Sequence, residues 1–164
     1  MKNENKSLPG KAEEKNPLLE KAVSLLNYRA HSRKELADKL KQKTGCGDED
    51  LNEVLDRLEE LGFLNDRTYA VSVVRSCTRK GYGKQRALSE LNRRGIPKEL
   101  HEEALAEMPE TDSTLERLIQ TKLRNPSDRD DVRRVSAAMV RRGFSWDEIR
   151  RALENVQYEM FNEE

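Results

Sequence analysis

The sequence is poor in aromatic residues, cysteine and histidine, and this scarcity limits the chemistry that it can support. Of its 164 residues, eight are aromatic, two are cysteine and two are histidine. Cys46 and Cys77 stand apart with no CxxC spacing, which is typical of a protein from a reducing cytoplasm. A structural zinc site needs four clustered ligands, and no nucleophile, base and carboxylate form a catalytic pattern. We therefore expect no metal, no other cofactor and no enzyme activity.

The chain also lacks a net charge and a long apolar run. Its 31 basic residues equal its 31 acidic residues, which argues against a polycationic coat for nucleic acid but leaves local patches open. No apolar run approaches the roughly 20 residues of a membrane-spanning helix, and no signal-peptide pattern opens the chain. These absences predict a cytoplasmic protein with no membrane contact.

Charged residues, in contrast, make up 38% of the chain, against about 25% in an average soluble domain. Such a composition leaves few residues for one large core and favours an elongated helical protein built from small local cores. Residues 1–16 have almost no apolar content and are predicted to form a disordered tail.

A unit of about 50 residues occurs three times, a period that is typical of repeat proteins. Gly45, Gly95 and Gly143 lie 50 and 48 residues apart, and each follows a basic stretch and precedes an acidic one. Glycine suits the left-handed residue that ends a helix. Upstream of each glycine, apolar pairs at i, i+4 spacing mark one helix face. These pairs are Leu36 and Leu40, Ala87 and Leu91, and Val135 and Met139.

Each unit contains three short helical segments, and no segment shows the period-two alternation of a strand. The predicted fold is all-α, with helical repeats at residues 17–64, 65–109 and 110–157 and tails at 1–16 and 158–164. Capping boxes are predicted at the helix starts that hold Ser32 with Glu35 and Ser145 with Glu148. Tyr28, Phe63 and Tyr69 are expected to fill cores, whereas Trp146 suits either a core or a partner contact.

The stretch RKGYGKQRALSELNRRGI, residues 79–96, raises the possibility of a phosphate-binding loop. It lacks the GxxxxGK[ST] pattern and no strand precedes it, so a nucleotide-binding loop has little support. Residues 81–83, Gly-Tyr-Gly, are instead predicted to link two helices, and Gly95 is predicted to end the second helix.

Charge is sorted along each unit. Residues 66–94 carry eight basic and two acidic side chains, whereas residues 99–116 carry seven acidic and no basic ones. These charges either form solvated faces that pair with neighbouring helices or line up as a basic strip for a long anionic or acidic partner. Arginine can fork onto carboxylates or phosphates in such a strip. The candidate partner-binding residues are Arg75, Arg79, Lys80, Tyr82, Lys84, Arg86, Arg93 and Arg94, followed by Arg133, Arg134, Arg141 and Arg142.

An ordered set of short motifs resembles the RecX family of bacterial recombination regulators. The motifs are Gly62-Phe63-Leu64-Asn65-Asp66, Tyr69-Ala70, Val74-Arg75, Lys80-Gly81-Tyr82-Gly83, Glu90-Leu91 and Gly95-Ile96. The resemblance covers roughly residues 18–156 and is specific as an ordered set. The sequence departs from the family pattern by an extra residue around Thr44 and by Asn65 in place of the commoner acid.

The resemblance implies an elongated, curved tandem array of three three-helix repeats, without enzyme activity. It also implies a protein that binds the RecA recombinase filament in its groove on DNA and inhibits ATP hydrolysis, strand exchange and filament growth. A monomer is expected. The alternative is a non-specific DNA-binding helical module that competes with RecA for single- or double-stranded DNA.

Overall fold

The structure, a computed structural model, describes residues 16–162. Within that range nine α-helices follow one another, joined by loops and one 3-10 turn at Lys98–Leu100, and no residue lies in a β-strand. The predicted all-α fold of three three-helix repeats is confirmed. The helices are α1 (Pro17–Tyr28), α2 (Arg33–Thr44), α3 (Asp48–Glu60), α4 (Asp66–Arg79), α5 (Lys84–Arg93), α6 (His101–Ala106), α7 (Asp112–Lys122), α8 (Arg129–Arg141) and α9 (Trp146–Asn162).

The helix ends follow from local sequence signals. The Glu35 N–H donates to the Ser32 hydroxyl at 3.0 Å, and the Ser32 N–H donates to the Glu35 carboxylate at 3.1 Å. The corresponding pair at Ser145 and Glu148 has distances of 3.2 Å and 2.7 Å. Both predicted capping boxes are therefore confirmed. The three repeated glycines have positive φ angles, 65° at Gly45, 65° at Gly95 and 94° at Gly143, as their role in ending helices requires.

The described chain divides into two compact units, of which the first holds residues 16–69 together with Arg94–Pro97. Its core lies among α1, α2 and α3, where Leu36, Leu40 and Leu58 have no exposed surface. Burial of each such leucine contributes roughly 1.5–3 kcal/mol.

The second unit holds Ala70–Arg93 and the chain from Lys98 onward. Its core cluster among α7, α8 and α9 includes fully buried Leu115, Ile119 and Met139. His101 is buried with 6% of its surface exposed. The repeated helix face is confirmed in all three repeats, because every member of the predicted pairs has 0% exposure: Leu36, Leu40, Ala87, Leu91, Val135 and Met139.

Two expectations from the sequence are wrong in detail. Tyr28 does not fill a core, because it lies in the last turn of α1 with 87% of its surface exposed. Helix α9 continues through residues 158–162, a segment that was predicted to be a tail. Met160 packs against the core there, and the Gln120 amide donates to Glu159 at 2.8 Å. The predicted disorder of residues 1–16 falls almost wholly outside the described residues, although Asn16 caps α1.

Candidate partner-binding surface

The residues predicted to bind a partner concentrate near the link between α4 and α5. This link packs against the turn that ends α8. The Gly83 N–H donates to the Arg142 carbonyl at 2.8 Å, and the Gln85 N–H donates to the Gly143 carbonyl at 3.1 Å. We call this contact, formed by residues 80–86 and 142–144, the second joint.

Both glycines of the second joint are required by close approach of the backbone. A Cβ at Gly83 would lie 2.7 Å from the Phe144 nitrogen, and a Cβ at Gly143 would lie 2.9 Å from the Arg86 Cα. Real Cβ atoms do not come within 3.0 Å of such neighbours. The sequence alone does not predict this role, because Gly83 has the pattern of a link and Gly143 that of a helix end.

The hydrogen bonds of the joint also decide against a phosphate-binding loop. Such a loop presents backbone N–H groups at a helix N-terminus to an anion. At the start of α5, the N–H groups of Gly83 and Gln85 already donate to carbonyl groups of the α8 turn, and those of Arg86 and Ala87 donate to the Gly83 carbonyl. The glycine-rich stretch is therefore a packing element.

Tyr82 lies between two arginines at the second joint. The guanidinium carbon of Arg86 is 5.4 Å from the ring centre and that of Arg142 is 5.9 Å away, both within the range of cation–π attraction. Arg142 also donates to the Lys80 carbonyl at 3.1 Å and to the Gly81 carbonyl at 3.3 Å. Tyr82 and Arg142 thus contact each other across the joint, a role that the sequence did not predict.

A first joint, formed within the first unit, brings the turn after α5 to the start of α2. The Ser32 hydroxyl donates to the Arg94 carbonyl, and a Cβ at Gly95 would lie 2.9 Å from the Lys34 Cβ. Arg94 donates to the Tyr69 hydroxyl at 2.6 Å and lies 5.8 Å from its ring centre. Burial raises the pKa of Tyr69, so its hydroxyl stays protonated at neutral pH.

Other predicted residues form ion pairs with acidic neighbours. Arg75 pairs with Glu107 at 3.2 Å, while Arg93 and Arg86 share Glu90 at 2.6 Å and 3.7 Å. Arg133 pairs with Asp130 and Arg134 pairs with Asp131. The pairs of Arg75 and Arg133 are exposed on both sides and contribute about 0–1 kcal/mol each to stability, so they hold those side chains weakly.

Asp131 is the most perturbed carboxylate near the predicted residues. Its pKa is lowered to about 2 by hydrogen bonds from the Asn125 N–H, the Arg134 side chain and the Arg124 N–H. The backbone bonds measure 2.9 Å from Asn125 and 2.6 Å from Arg124. Asp131 therefore fixes the loop before α8 and orients Arg134 on that helix.

Four predicted cations remain unpaired among residues 16–162: Arg79, Lys80, Lys84 and Arg141. All four are exposed. Each lies in the second joint or within one residue of it along the chain. We call them the joint cations. Lys84 also lines a surface cleft of about 320 Å³ with Arg151, Glu110 and Asp112, and Arg151 is a cation that the sequence analysis did not select.

Other kinds of site find little support in the described part of the chain. Residues 16–162 contain no group of three or more histidine, cysteine, aspartate or glutamate side chains that could hold a metal ion. None of the described helices is long and apolar enough to cross a membrane.

Comparison with known proteins identifies the family. Models of the first, second and third three-helix domains of RecX match residues 19–58, 65–105 and 110–153 in that order. The chain belongs to the RecX family. The resemblance to the RecX family is confirmed.

Several curated relatives carry the name Regulatory protein RecX. The protein from Prosthecochloris aestuarii is 34% identical over 140 residues, which cover 84% of this chain and 92% of the relative. The one from Chlorobaculum tepidum is 33% identical, covering 87% and 89%, and the one from Pseudomonas entomophila is 36% identical, covering 80% and 86%. The sequence thus belongs to a family of regulatory proteins.

Solved RecX structures share the fold. The crystal structure of RecX from Lactobacillus salivarius superposes with a TM-score of 0.78, covering 87% of this chain and 96% of that one at 24% identity. A second crystal structure of regulatory protein RecX gives a TM-score of 0.71, covering 90% and 71% at 21% identity. At these identities the likeness concerns the fold alone.

Proposed function

We propose that the protein is a cytoplasmic, non-enzymatic regulator that binds the RecA filament on DNA. It inhibits ATP hydrolysis, strand exchange and filament growth by lodging in the filament groove. Membership of the RecX family supports a regulatory role. The observation that carries the choice of surface is the set of joint cations, which are exposed and have no ion-pair partner among the described residues.

The joint cations suit an acidic surface because binding costs them no existing ion pair. An Arg–carboxylate contact gains a charge-assisted, bidentate hydrogen bond, and complementary charge speeds association as well. Arg33 in the first repeat differs, since it already pairs with Asp56 at 2.8 Å and with Glu59 at 3.1 Å. We therefore place the main partner contact on the middle and last repeats.

The other predicted arginines differ in how firmly existing ion pairs hold them. Arg75 and Arg133 form exposed ion pairs that a partner's carboxylates can replace at small cost, whereas Arg86, Arg93 and Arg134 pair with Glu90 and Asp131, whose side chains are only 15% and 9% exposed. Binding shifts the filament only if its active and inactive states are bound with different affinity. Contact with more than one RecA subunit would meet this condition wherever the active and inactive states differ in subunit packing.

The proposal is tested by RecA ATP hydrolysis on single-stranded DNA. A variant with Arg79→Glu, Lys80→Glu and Lys84→Glu is compared with a control that carries the same charge change at exposed Lys21, Lys43 and Lys98. We expect the first variant to lose at least about tenfold in half-inhibitory concentration and the control to stay within about twofold of the unchanged protein. Equal loss in both variants would show a general charge effect and contradict the assignment of the surface.

Competition for DNA is the alternative function, because the same unpaired cations match phosphate groups. A DNA-binding titration without RecA separates the two functions. Inhibition at protein concentrations well below saturation of the DNA supports action on the filament. Inhibition only when DNA is covered, with a steep salt dependence of binding to DNA alone, supports competition and contradicts the groove proposal.

A further inference from the structure

We infer that the second arginine of each Arg-Arg-Gly turn is a positioning residue, while the first arginine faces outward. This inference rests on the proposed function, because it concerns how the partner-binding cations are held. The two turns are residues 93–95 and 141–143, and in the sequence their paired arginines cannot be told apart.

At the second joint the two arginines have different environments. Arg141 is exposed and forms no ion pair with other described residues. Arg142 is half-buried, lies 5.9 Å from the centre of the Tyr82 ring, and donates to the carbonyls of Lys80 and Gly81. Both hydrogen bonds come from the same guanidinium nitrogen, Nη1. Arg142 therefore joins the end of α8 to the link before α5.

The first joint repeats the arrangement with another tyrosine. Arg93 is exposed and shares the carboxylate of Glu90 at 2.6 Å. Arg94 is half-buried, donates to the Tyr69 hydroxyl at 2.6 Å and lies over the Tyr69 ring. Two separate turns thus divide the arginines in the same way, which one fortuitous contact would not explain.

The turn of the first repeat gives an internal comparison. There the corresponding residues are Lys43, Thr44 and Gly45, with no arginine pair. A Cβ at Gly45 would meet no atom within 4 Å, so this glycine lies in open space. The Thr44 hydroxyl donates to the Leu40 carbonyl of its own helix at 2.7 Å. The second arginine is present at the two turns whose glycine lies against a neighbouring repeat and absent at the one whose glycine does not.

The consequence for function lies at Arg79 and Lys80. Because Arg142 holds the carbonyls of Lys80 and Gly81, it fixes the direction in which this segment presents its side chains. Removal of Arg142 should weaken partner binding through Arg79 and Lys80 rather than through a lost contact of its own.

The test compares Arg142→Gln with Arg141→Gln, which remove the same charge from neighbouring positions. Each is measured alone and combined with Arg79→Ala and Lys80→Ala, with half-inhibition of RecA ATP hydrolysis as the readout. We expect Arg142→Gln to raise the half-inhibitory concentration about tenfold alone and to add less than about twofold in the combined variant, because coupled residues are not additive. Arg141→Gln should raise the half-inhibitory concentration by the same factor whether or not Arg79→Ala and Lys80→Ala are present.

A charge-conserving variant and a folding control complete the experiment. Arg142→Lys should behave like Arg142→Gln, because one ammonium group cannot reproduce the planar guanidinium contact with the ring and both carbonyls. Full inhibition by Arg142→Lys, or an undiminished Arg142→Gln effect in the combined variant, would overturn the inference. If Arg142→Gln does not fold, Tyr82→Leu replaces it under the same criterion. Failure of the proposed function gives a different result. The variant with Arg79→Ala and Lys80→Ala would then inhibit as well as the unchanged protein, and both the proposed surface and the role of Arg142 would be contradicted.

Discussion

The two joints connect neighbouring repeats at equivalent places but with different chemistry. At the first joint a side chain makes the connection, because the Ser32 hydroxyl donates to the Arg94 carbonyl. At the second joint the backbone of one repeat meets the backbone of the next, through the N–H groups of Gly83 and Gln85. One repeated pattern of helices and glycines therefore accommodates two kinds of contact. The predicted cations that remain unpaired among residues 16–162 lie at the second joint, where backbone groups make the contact.

The largest expected effects are losses in the free energy of unfolding when three glycines are replaced. They distinguish glycines needed for close packing from glycines needed only for a left-handed backbone. Gly45 has a positive φ but open space, Gly83 has no positive φ but a close neighbour, and Gly143 has both. Gly45→Ala should cost roughly 1 kcal/mol in the free energy of unfolding. Gly83→Ala and Gly143→Ala should each cost about 3 kcal/mol or more, with Gly143→Ala the larger. Urea unfolding followed by circular dichroism measures all three, and equal costs at Gly45 and Gly143 would mean that the second joint is not tightly packed.

A smaller effect distinguishes the tyrosines of the two joints. Arg94 and Arg29 donate to the Tyr69 hydroxyl at 2.6 Å and 3.3 Å, so Tyr69→Phe should lower the free energy of unfolding by about 1–2 kcal/mol. The Tyr82 hydroxyl has no hydrogen-bond partner among residues 16–162, and only its ring contacts arginine. Tyr82→Phe should therefore stay within about 0.5 kcal/mol of the unchanged protein. The reverse order in chemical unfolding would contradict the assignment of roles.

The smallest expected effect is a difference in pH dependence between the two units. His31, beside Ser32, is 2% exposed, and burial together with Arg29 and Lys39 lowers its pKa against the opposing effects of Glu35 and the Arg29 carbonyl. The unfolded chain therefore takes up a proton first, so stability is lost as pH falls from about 6.5. The thermal midpoint of His31→Gln should depend less on pH between 7 and 5 than that of the unchanged protein.

Asp131 in the second unit responds in a more acidic window. Its folded pKa of about 2 lies below the ordinary value of 3.8, so its contribution is present above that value and is lost as pH falls towards 2. Asp131→Asn should remove this acidic dependence and leave the behaviour between pH 7 and 5 unchanged. A common pH profile for both variants would contradict the separate assignments.

Much of the fold follows from the sequence because its signals are local. Helical periodicity and glycine spacing located the three repeats, and the capping boxes at Ser32 and Ser145 need only neighbouring residues. Tyr28 was misplaced because a residue in the last turn of α1 has the same local pattern whether its side chain faces the core or water. The end of α9 was missed because contacts from α7 and the core support it.

The candidate site was predictable only in part. An excess of basic residues identified the region, but the distinction between Arg141 and Arg142 depends on what lies across the joint. The close approach of Gly83 and Gly143 joins residues 60 positions apart, and no local pattern encodes it. The one sequence signal for this close approach is the glycine at position 83 itself. No helix ends there and no left-handed conformation is needed, so packing is the remaining reason for a glycine.

Amide hydrogen exchange at Gly83 and Gln85, measured by NMR, tests the second joint most directly. Both N–H groups lie at the start of α5, where an isolated helix leaves its first four donors free to exchange. Since they donate to the carbonyls of Arg142 and Gly143, the account predicts slow exchange, comparable with that of Ala87 further along the helix. Exchange at the rate of an unprotected amide would contradict the backbone contacts of the second joint. It would also contradict the fixed placement proposed for the joint cations.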